Sequence, residues 1–425
     1  MKLYHYPGKD KWQEIVERPV IDSSALYLQV KLILDEVKQE GDMAVRKFTK
    51  QFDGAELDDF SVNDEEIKNA SALMPEKLKK AIQTAAKNIR TFHQHQLNKP
   101  GTIETMPGIS CWQKNVAIQK VGLYIPGGTA PLFSTILMLG IPAQIAGCKE
   151  IILCSPPGKN GKLHPAILFA AQLAGITQIF KVGGVQAIAA MAYGTATIPK
   201  VYKVFGPGNQ YVTCAKQIVQ QDGIAIDMPA GPSEVCVLAD ETANASFIAA
   251  DLLSQAEHGP DSQVMLVCTS AIIVENVIAE VSRQLDKLPR KETAAKALEN
   301  SKIILVKTIS EAIDLVNEYA PEHLIISCND DEVIASKISN AGSVFLGNYS
   351  PESVGDYASG TNHVLPTNGF AKSYSGVSID SFVKKITYQK LTQEGLQEIS
   401  DAVVTMAEAE GLHAHANAVK VRMGE

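Results

Sequence analysis

The sequence predicts an α/β protein: two doubly wound, Rossmann-like domains with parallel sheets, plus small helical N- and C-terminal segments. Three observations carry this. From Val116 onward, short apolar runs rich in Val, Ile and Leu alternate with helix-patterned stretches. That is the pattern of parallel strands joined by crossover helices and covered on both faces. The alternation comes as two successive series, and 425 residues exceed what one hydrophobic core holds.

The elements follow in order. Residues 1–22 form an N-terminal arm. Charged, helical patterns cover 25–52 and 64–96; within the second, His93 and His95 are two apart on a helix, so they diverge and are expected at the surface. Val116 to Ile125 is apolar and extended, and Pro126-Gly127-Gly128-Thr129 turns it into a helix beginning near Leu132. The apolar window from Leu132 to Gly147 is too short to span a bilayer and reads as a buried helix. Strands are then expected at 151–154, 178–181, 201–205 and 223–226, with helices at 165–174, 185–193 and 209–221. The second series places strands at 234–238, 264–268, 302–306, 324–328 and 344–346. Its helices run to His258, to Leu285, and over 310–319 and 331–340. On this reading residues 116–234 form one Rossmann-like domain. Residues 23–115 and 235–379 together form the larger one, and 380–425 is a helical tail that docks elsewhere. Ligands are expected in the cleft between the domains, at strand C-terminal ends.

Composition narrows the function. Hydrophobic residues at 45% and charged residues at 20% describe an ordinary soluble domain. A net charge of -8 argues against nucleic acid as the main partner, since phosphate neutralisation needs a basic surface. The start, Met1-Lys2-Leu3-Tyr4-His5-Tyr6-Pro7, has no apolar core of a secretory signal. Seven scattered cysteines, odd in number and without a C-x-x-C pair, favour a reducing cytoplasm, and Cys154, Cys236, Cys268 and Cys328, in strand-like apolar runs, read as core packing residues.

Several stretches carry acid/base or metal-competent groups. Gln255 and His258, three apart where a helix ends at Gly259-Pro260, project from one face and have donor types that suit a divalent metal. Taken alone, the pair is more simply a polar C-terminal turn in which His258 meets the last carbonyls. Glu322 and His323 precede an apolar strand, where a carboxylate and an imidazole can act as water activator and base. Asp356 sits in the glycine-rich loop Gly355-Asp356-Tyr357-Ala358-Ser359-Gly360, and Glu410-Gly411-Leu412-His413-Ala414-His415 closes the helical tail. Gly206-Pro207-Gly208-Asn209 lies between a strand and a helix, where phosphate meets a helix N-terminus. It lacks the third glycine of the dinucleotide fingerprint, and a tight strand-to-helix turn explains it as well.

Ile226-Asp227-Met228-Pro229-Ala230-Gly231-Pro232-Ser233-Glu234, followed by Asp251-Leu252-Leu253-Ser254-Gln255-Ala256-Glu257-His258, resembles the signature of histidinol dehydrogenase. The similarity runs nearly end to end. It includes Ala320-Pro321-Glu322-His323-Leu324, Gly355-Asp356-Tyr357 and Glu410-Gly411-Leu412. The resemblance implies oxidation of L-histidinol to L-histidine through the aldehyde, with NAD+ and one zinc ion per subunit, in the last steps of histidine biosynthesis. It implies Gln255, His258, Asp356 and His415 as zinc ligands. Glu322 becomes the water activator and neutral His323 the general base. Substrate contacts would be Ser233, Gln255, His258, His323, Asp356, Glu410 and His415, and NAD contacts Tyr124, Gln186 and Asn209. It also implies a cytoplasmic homodimer with shared active sites, the tail's histidine reaching the partner's zinc. His363 is either a supporting residue beside the ligands or a packing residue. Other readings of the same residues are a related dehydrogenase of another small alcohol, a zinc hydrolase, and a non-catalytic small-molecule binder.

Overall fold

A computed structural model describes residues 1–18, 24–98, 101–127, 131–229 and 231–425. Fourteen strands occur among them. β1 (Lys2–His5) stands at the N-terminus, and β2 (Ile103–Met106) and β3 (Ile109–Ala117) follow the first helices. β4 (Lys120–Tyr124), β5 (Glu150–Cys154), β6 (Gln178–Phe180), β7 (Lys203–Phe205) and β8 (Ala225–Ile226) make the first series. β9 (Glu234–Ala239), β10 (Gln263–Cys268), β11 (Lys302–Leu305), β12 (His323–Ser327) and β13 (Ser343–Leu346) make the second, and β14 (Val383–Leu391) comes last.

The first series pairs in the order β6-β5-β4-β7-β8, parallel throughout. The second pairs as β1-β11-β10-β9-β12-β13, also parallel. Every residue of β9, β10, β11 and β12 is buried, as two-sided helix cover demands. The expected α/β class with two parallel sheets is therefore present. Contacts divide the chain into a larger unit, 1–96 and 118–381, which holds both parallel sheets, and a smaller one, 97–117 and 382–425. The smaller unit contains the antiparallel sheet β14-β3-β2 and the two last helices, Gln393–Ala409 and His413–Met423.

Several expectations are corrected. The N-terminal arm contributes β1, an edge strand hydrogen-bonded to β11. Val116 to Ile125 is not one strand; it divides between β3 and β4, which belong to different sheets. The tail from 380 is not wholly helical, because β14 pairs with β3 over nine residues and Tyr388 stacks on Trp112 at 5.4 Å. The helices Ser24–Glu40 and Asp42–Phe48 join the first parallel sheet rather than the second. Val30, Leu34, Val37, Ala44 and Val45 share a core with Tyr124, Ile152 and Ile188. His93 is buried, not at the surface. It continues the stripe Ile82, Ala85, Ile89 at helical spacing, and its Nδ1 bonds Gln96 Oε1 at 3.0 Å. Asp356 lies in a short helix, Glu352–Tyr357, rather than a loop. Cys154, Cys236, Cys268 and Cys328 are buried free thiols, as expected. Among the described residues no helix is long and apolar enough to cross a membrane.

Candidate functional site

The site is organised by the backbone of one residue, Glu234 at the start of β9. Its N–H donates to Glu322 Oε2 at 2.8 Å. Its carbonyl accepts from Gln255 Nε2 at 3.2 Å and lies 3.1 Å from His323 Nδ1. Parallel pairing makes this possible. Register sets His323 opposite Val235, so Glu322 and His323 arrive beside Glu234 as β12 begins. Gln255 comes from the last turn of the helix Ala245–Ala256, whose end returns to the start of β10. This cluster therefore stands at the N-terminal edge of its sheet, not at the C-terminal strand ends that the sequence reading expected.

Glu322 is 6% and His323 2% exposed. Burial pushes the Glu322 carboxyl up to about 8, against the pull of His323 and of the Glu234 N–H. Burial disfavours a charged His323. Glu322, Asp356 and Glu352 overcome that and raise its pKa to about 10. His323 Nε2 touches Asp356 Oδ1 at 3.2 Å, and Nδ1 is 3.6 Å from Glu322 Oε2. In this arrangement the imidazole is held protonated, not in the neutral form that a general base starts from. Asp356 is in turn kept below the usual carboxylate range: burial opposes this, but His323, His363 and His258 outweigh it.

His363 bridges two elements. Its Nδ1 donates to the Asp356 carbonyl at 2.8 Å, which leaves Nε2 to accept from Thr135 Oγ1 at 3.0 Å. That neutral tautomer agrees with the downward pKa shift burial imposes. His363 thus supports Asp356 from the helix Phe133–Ala146 and is not only packing.

The donor set fits a divalent cation. Gln255 Oε1 is buried without a hydrogen-bond partner, and Asp356 and His258 feel each other's charge. Three His, Cys, Asp or Glu side chains do not converge as a ready cage among the described residues, and an amide oxygen such as that of Gln255 stands outside that donor class. His258 is exposed just beyond its helix end. His415 lies in the first turn of the last helix and Glu410 caps the helix before it, both in the smaller unit. Ser233 immediately precedes β9, its carbonyl bonded by Gln263 N.

The five-stranded sheet carries a separate cavity of about 1100 Å³. Tyr124, Gln186 and Asn209 all line it, beside Asp53, Pro126, Pro156 and Tyr211. Here the expectation of C-terminal strand ends holds, since Tyr124 ends β4 and Asn209 follows β7. Asn209 Oδ1 caps the helix Gln210–Gln221 by accepting from Tyr211 and Val212 N–H. Gly206 adopts φ +125°, and a Cβ there would lie 2.0 Å from the Tyr124 carbonyl, so only glycine fits. Gln186 Nε2 donates to Asp53 Oδ2 at 3.3 Å while its Oε1 lacks a partner. Burial raises Asp53 to about 6.

Sequence reasoning missed Arg18, Glu234, Asp53 and Glu352. Glu352 is buried, takes a hydrogen bond from Ser254 Oγ at 2.8 Å and leaves Oε2 unpartnered. Nothing local marks these residues; each acquires its role through contacts distant in sequence.

A doubly wound α/β chain with a cavity at strand ends and a buried Glu–His–Asp cluster is the framework of an α/β enzyme with acid–base groups at its site. Comparison with known proteins gives the family. The family model for histidinol dehydrogenase matches residues 16–423. Histidinol dehydrogenase of Bacteroides thetaiotaomicron is 60% identical over 423 residues, covering 100% of this chain and 99% of that protein. The Vibrio cholerae enzyme is 52% identical over 414 residues, covering 97% and 95%. The crystal structure of histidinol dehydrogenase from Elizabethkingia anophelis superposes with a TM-score of 0.98 at 54% identity, covering 100% of this chain and 98% of that one. The chain belongs to the histidinol dehydrogenase family and is an oxidoreductase of histidine biosynthesis.

Proposed function

We propose that the chain oxidises L-histidinol to L-histidine through L-histidinal, with two NAD+ consumed per histidine formed. The observation that carries this is the meeting of Glu322, His323 and Gln255 on the Glu234 backbone, with Asp356 against His323, in a chain of this family.

Gln255, His258 and Asp356 would hold zinc, with His415 as the fourth ligand, and Tyr124, Gln186 and Asn209 would hold NAD. When bound, zinc supplies a template for the substrate's imidazole and amine, and NAD+ supplies the hydride acceptor. The chain's own groups do the proton chemistry. With Asp356 among the residues that would hold the metal, His323 Nε2 would be free of its carboxylate partner and would take the alcohol proton as hydride departs. The Glu234 carbonyl fixes the ring through Nδ1. Glu322, anchored by the Glu234 N–H, removes a proton from the water that attacks the aldehyde. Ser233, Gln255, His258, His323, Asp356, Glu410 and His415 surround the substrate, and the buried cluster keeps the aldehyde from side reactions.

We further propose a cytoplasmic homodimer in which Glu410 and His415 complete the partner's site. The decisive assay is purified protein with zinc, NAD+ and L-histidinol, followed by NADH absorbance and histidine release. Two NADH per histidine are expected. No NADH with histidinol, but turnover of another small alcohol, would move the substrate assignment. Ester or amide cleavage without NAD+ would replace the reading with a hydrolase.

A further inference from the structure

We propose that Arg18, in the segment leading out of the N-terminal arm, is a positioning residue for the Glu322–His323 pair, acting through Glu234. The inference rests on the active-site reading above.

Arg18 is tied into both pieces of backbone that present the pair. Its guanidinium forms a two-pronged ion pair with the Glu234 carboxylate, Nε to Oε1 at 2.5 Å and Nη2 to Oε2 at 2.8 Å. Nη2 also donates to the Tyr319 carbonyl at 2.8 Å, with the Ala320 carbonyl at 3.5 Å. Its Cζ lies 4.1 Å from the Tyr319 ring centroid, a cation–π contact. The first anchor fixes the residue whose N–H and carbonyl hold Glu322, His323 and Gln255. The second fixes the turn from which Pro321, Glu322 and His323 emerge.

That turn needs an anchor. Ala320 adopts a left-handed conformation at φ +52°, ψ +66°, unfavourable for a residue with a Cβ and stable only where surroundings impose it. Glu234 is equally constrained, because Oε1 accepts from Asn368 N at 3.0 Å as well as from Arg18. The carboxylate is 3% and the guanidinium 14% exposed. A planar fork matches a carboxylate on two atoms at once, which a lysine ammonium does not. Arg18 therefore locks two strand starts, β9 and β12, in mutual register at the point where the acid and base stand.

The test uses the full-length protein with zinc, NAD+ and L-histidinol, comparing Arg18→Met, Arg18→Lys, Glu322→Gln and His323→Asn. Folded content is checked by near-ultraviolet circular dichroism. Displacing reacting groups by about 1 Å costs on the order of a hundredfold in rate, so Arg18→Met should lower kcat by about 10- to 100-fold. The KM for NAD+ should stay within about twofold, because the nucleotide cavity is built on the other sheet. Arg18→Lys keeps charge and loses the fork, so it should recover part of the loss. A folded Arg18→Met protein with wild-type kcat, beside impaired Glu322→Gln and His323→Asn, overturns the inference. Equal losses in both Arg18 variants with a parallel rise in the NAD+ KM also overturn it, since that is general structural damage. If Arg18→Met does not fold, Arg18→Lys decides alone, and a kcat within twofold of wild type refutes the role. Wild-type turnover in Glu322→Gln and His323→Asn would instead sink the active-site reading, and the inference falls with it.

Discussion

Replacing Glu322 by glutamine tests the proposed division of labour between Glu322 and His323. Glutamine keeps the volume, and its Oε1 can still accept the Glu234 N–H that Glu322 Oε2 holds at 2.8 Å. The change keeps this hydrogen bond and, with the carboxyl raised to about 8 by burial, removes little charge at neutral pH, a loss of at most about 1 kcal/mol. Removing a carboxyl whose ionisation burial opposes offsets part of that, so the fold should survive. What disappears is the proton acceptor. Loss of a general base costs about 10²- to 10⁴-fold, or about 2.7–5.4 kcal/mol in barrier at 1.36 kcal/mol per decade. That cost should fall on one half-reaction. Histidinal supplied directly with NAD+ should be oxidised about 10²- to 10⁴-fold more slowly, while single-turnover oxidation of histidinol should slow by less than about tenfold. Equal slowing in both would refute the assignment of water activation to Glu322.

Chelation should abolish turnover, and zinc, cobalt or manganese should restore it, as an N/O donor set does not choose sharply among them; full activity in a verified metal-free preparation would contradict the ligand assignment. Gly206→Ala forces a Cβ into the Tyr124 carbonyl at φ +125°, so urea unfolding should show a loss of roughly 2–5 kcal/mol from strain and overpacking, and an unchanged midpoint would refute it. Asp53, raised to about 6, keeps its proton in the folded chain above the unfolded value near 3.9. Its stabilising contribution is thus present at low pH and is lost as pH rises through about 4 to 6, on the order of 1–2 kcal/mol after allowing for its partial exposure; Asp53→Asn should remove that slope in urea melts, and parallel wild-type and variant curves would contradict it. His323→Asn and His415→Asn chains, each nearly inactive alone, should recover about a quarter of wild-type activity when refolded together, because half the dimers are hybrids with one intact site; no recovery means that the tail acts within its own chain.

Much of the scaffold is legible in the sequence because buried parallel strands must be apolar on both faces. Val235 to Ala239, Val264 to Cys268 and Leu324 to Ser327 announce themselves that way. β1 does not, since Lys2, Leu3, Tyr4 and His5 form a mostly exposed edge whose strand character comes from pairing with β11. β14 misleads for a related reason: Val383 to Leu391 is mostly exposed and shows no buried alternation, yet pairing with β3 decides the backbone. His93 shows the reverse error. Its relation to His95 suggested the surface, while its spacing from Ile89 placed it in the core. Glu352, after Pro351, resembles an ordinary acidic first turn; only Ser254, nearly a hundred positions away in the chain, makes it a buried carboxyl.

The two halves of the candidate chemistry sit at opposite kinds of strand end, so the expectation of C-terminal strand ends suits the cavity and not the Glu322–His323 cluster. Tyr124 and Asn209 stand where strands end, the usual place for a nucleotide in a doubly wound sheet. Glu234, Glu322 and His323 stand where strands begin. Glu322 stands just before the strand and His323 opens it, so these neighbours can both turn to the backbone of one residue, Glu234. Such an edge lacks the helix N-termini that organise the opposite one, so its geometry must come from side-chain anchors. Arg18 supplies one, on Glu234 and the Ala320 turn. His363 supplies another, since it joins Asp356 to Thr135 in the helix that follows β4. Through that histidine the helix Phe133–Ala146 bears on the backbone of Asp356, whose carboxylate stands beside His323, and Asn362 reinforces the contact by donating to the Met138 carbonyl at 2.6 Å. The two parallel-sheet halves are thus joined by hydrogen bonds from His363 and Asn362, each of which a single substitution removes.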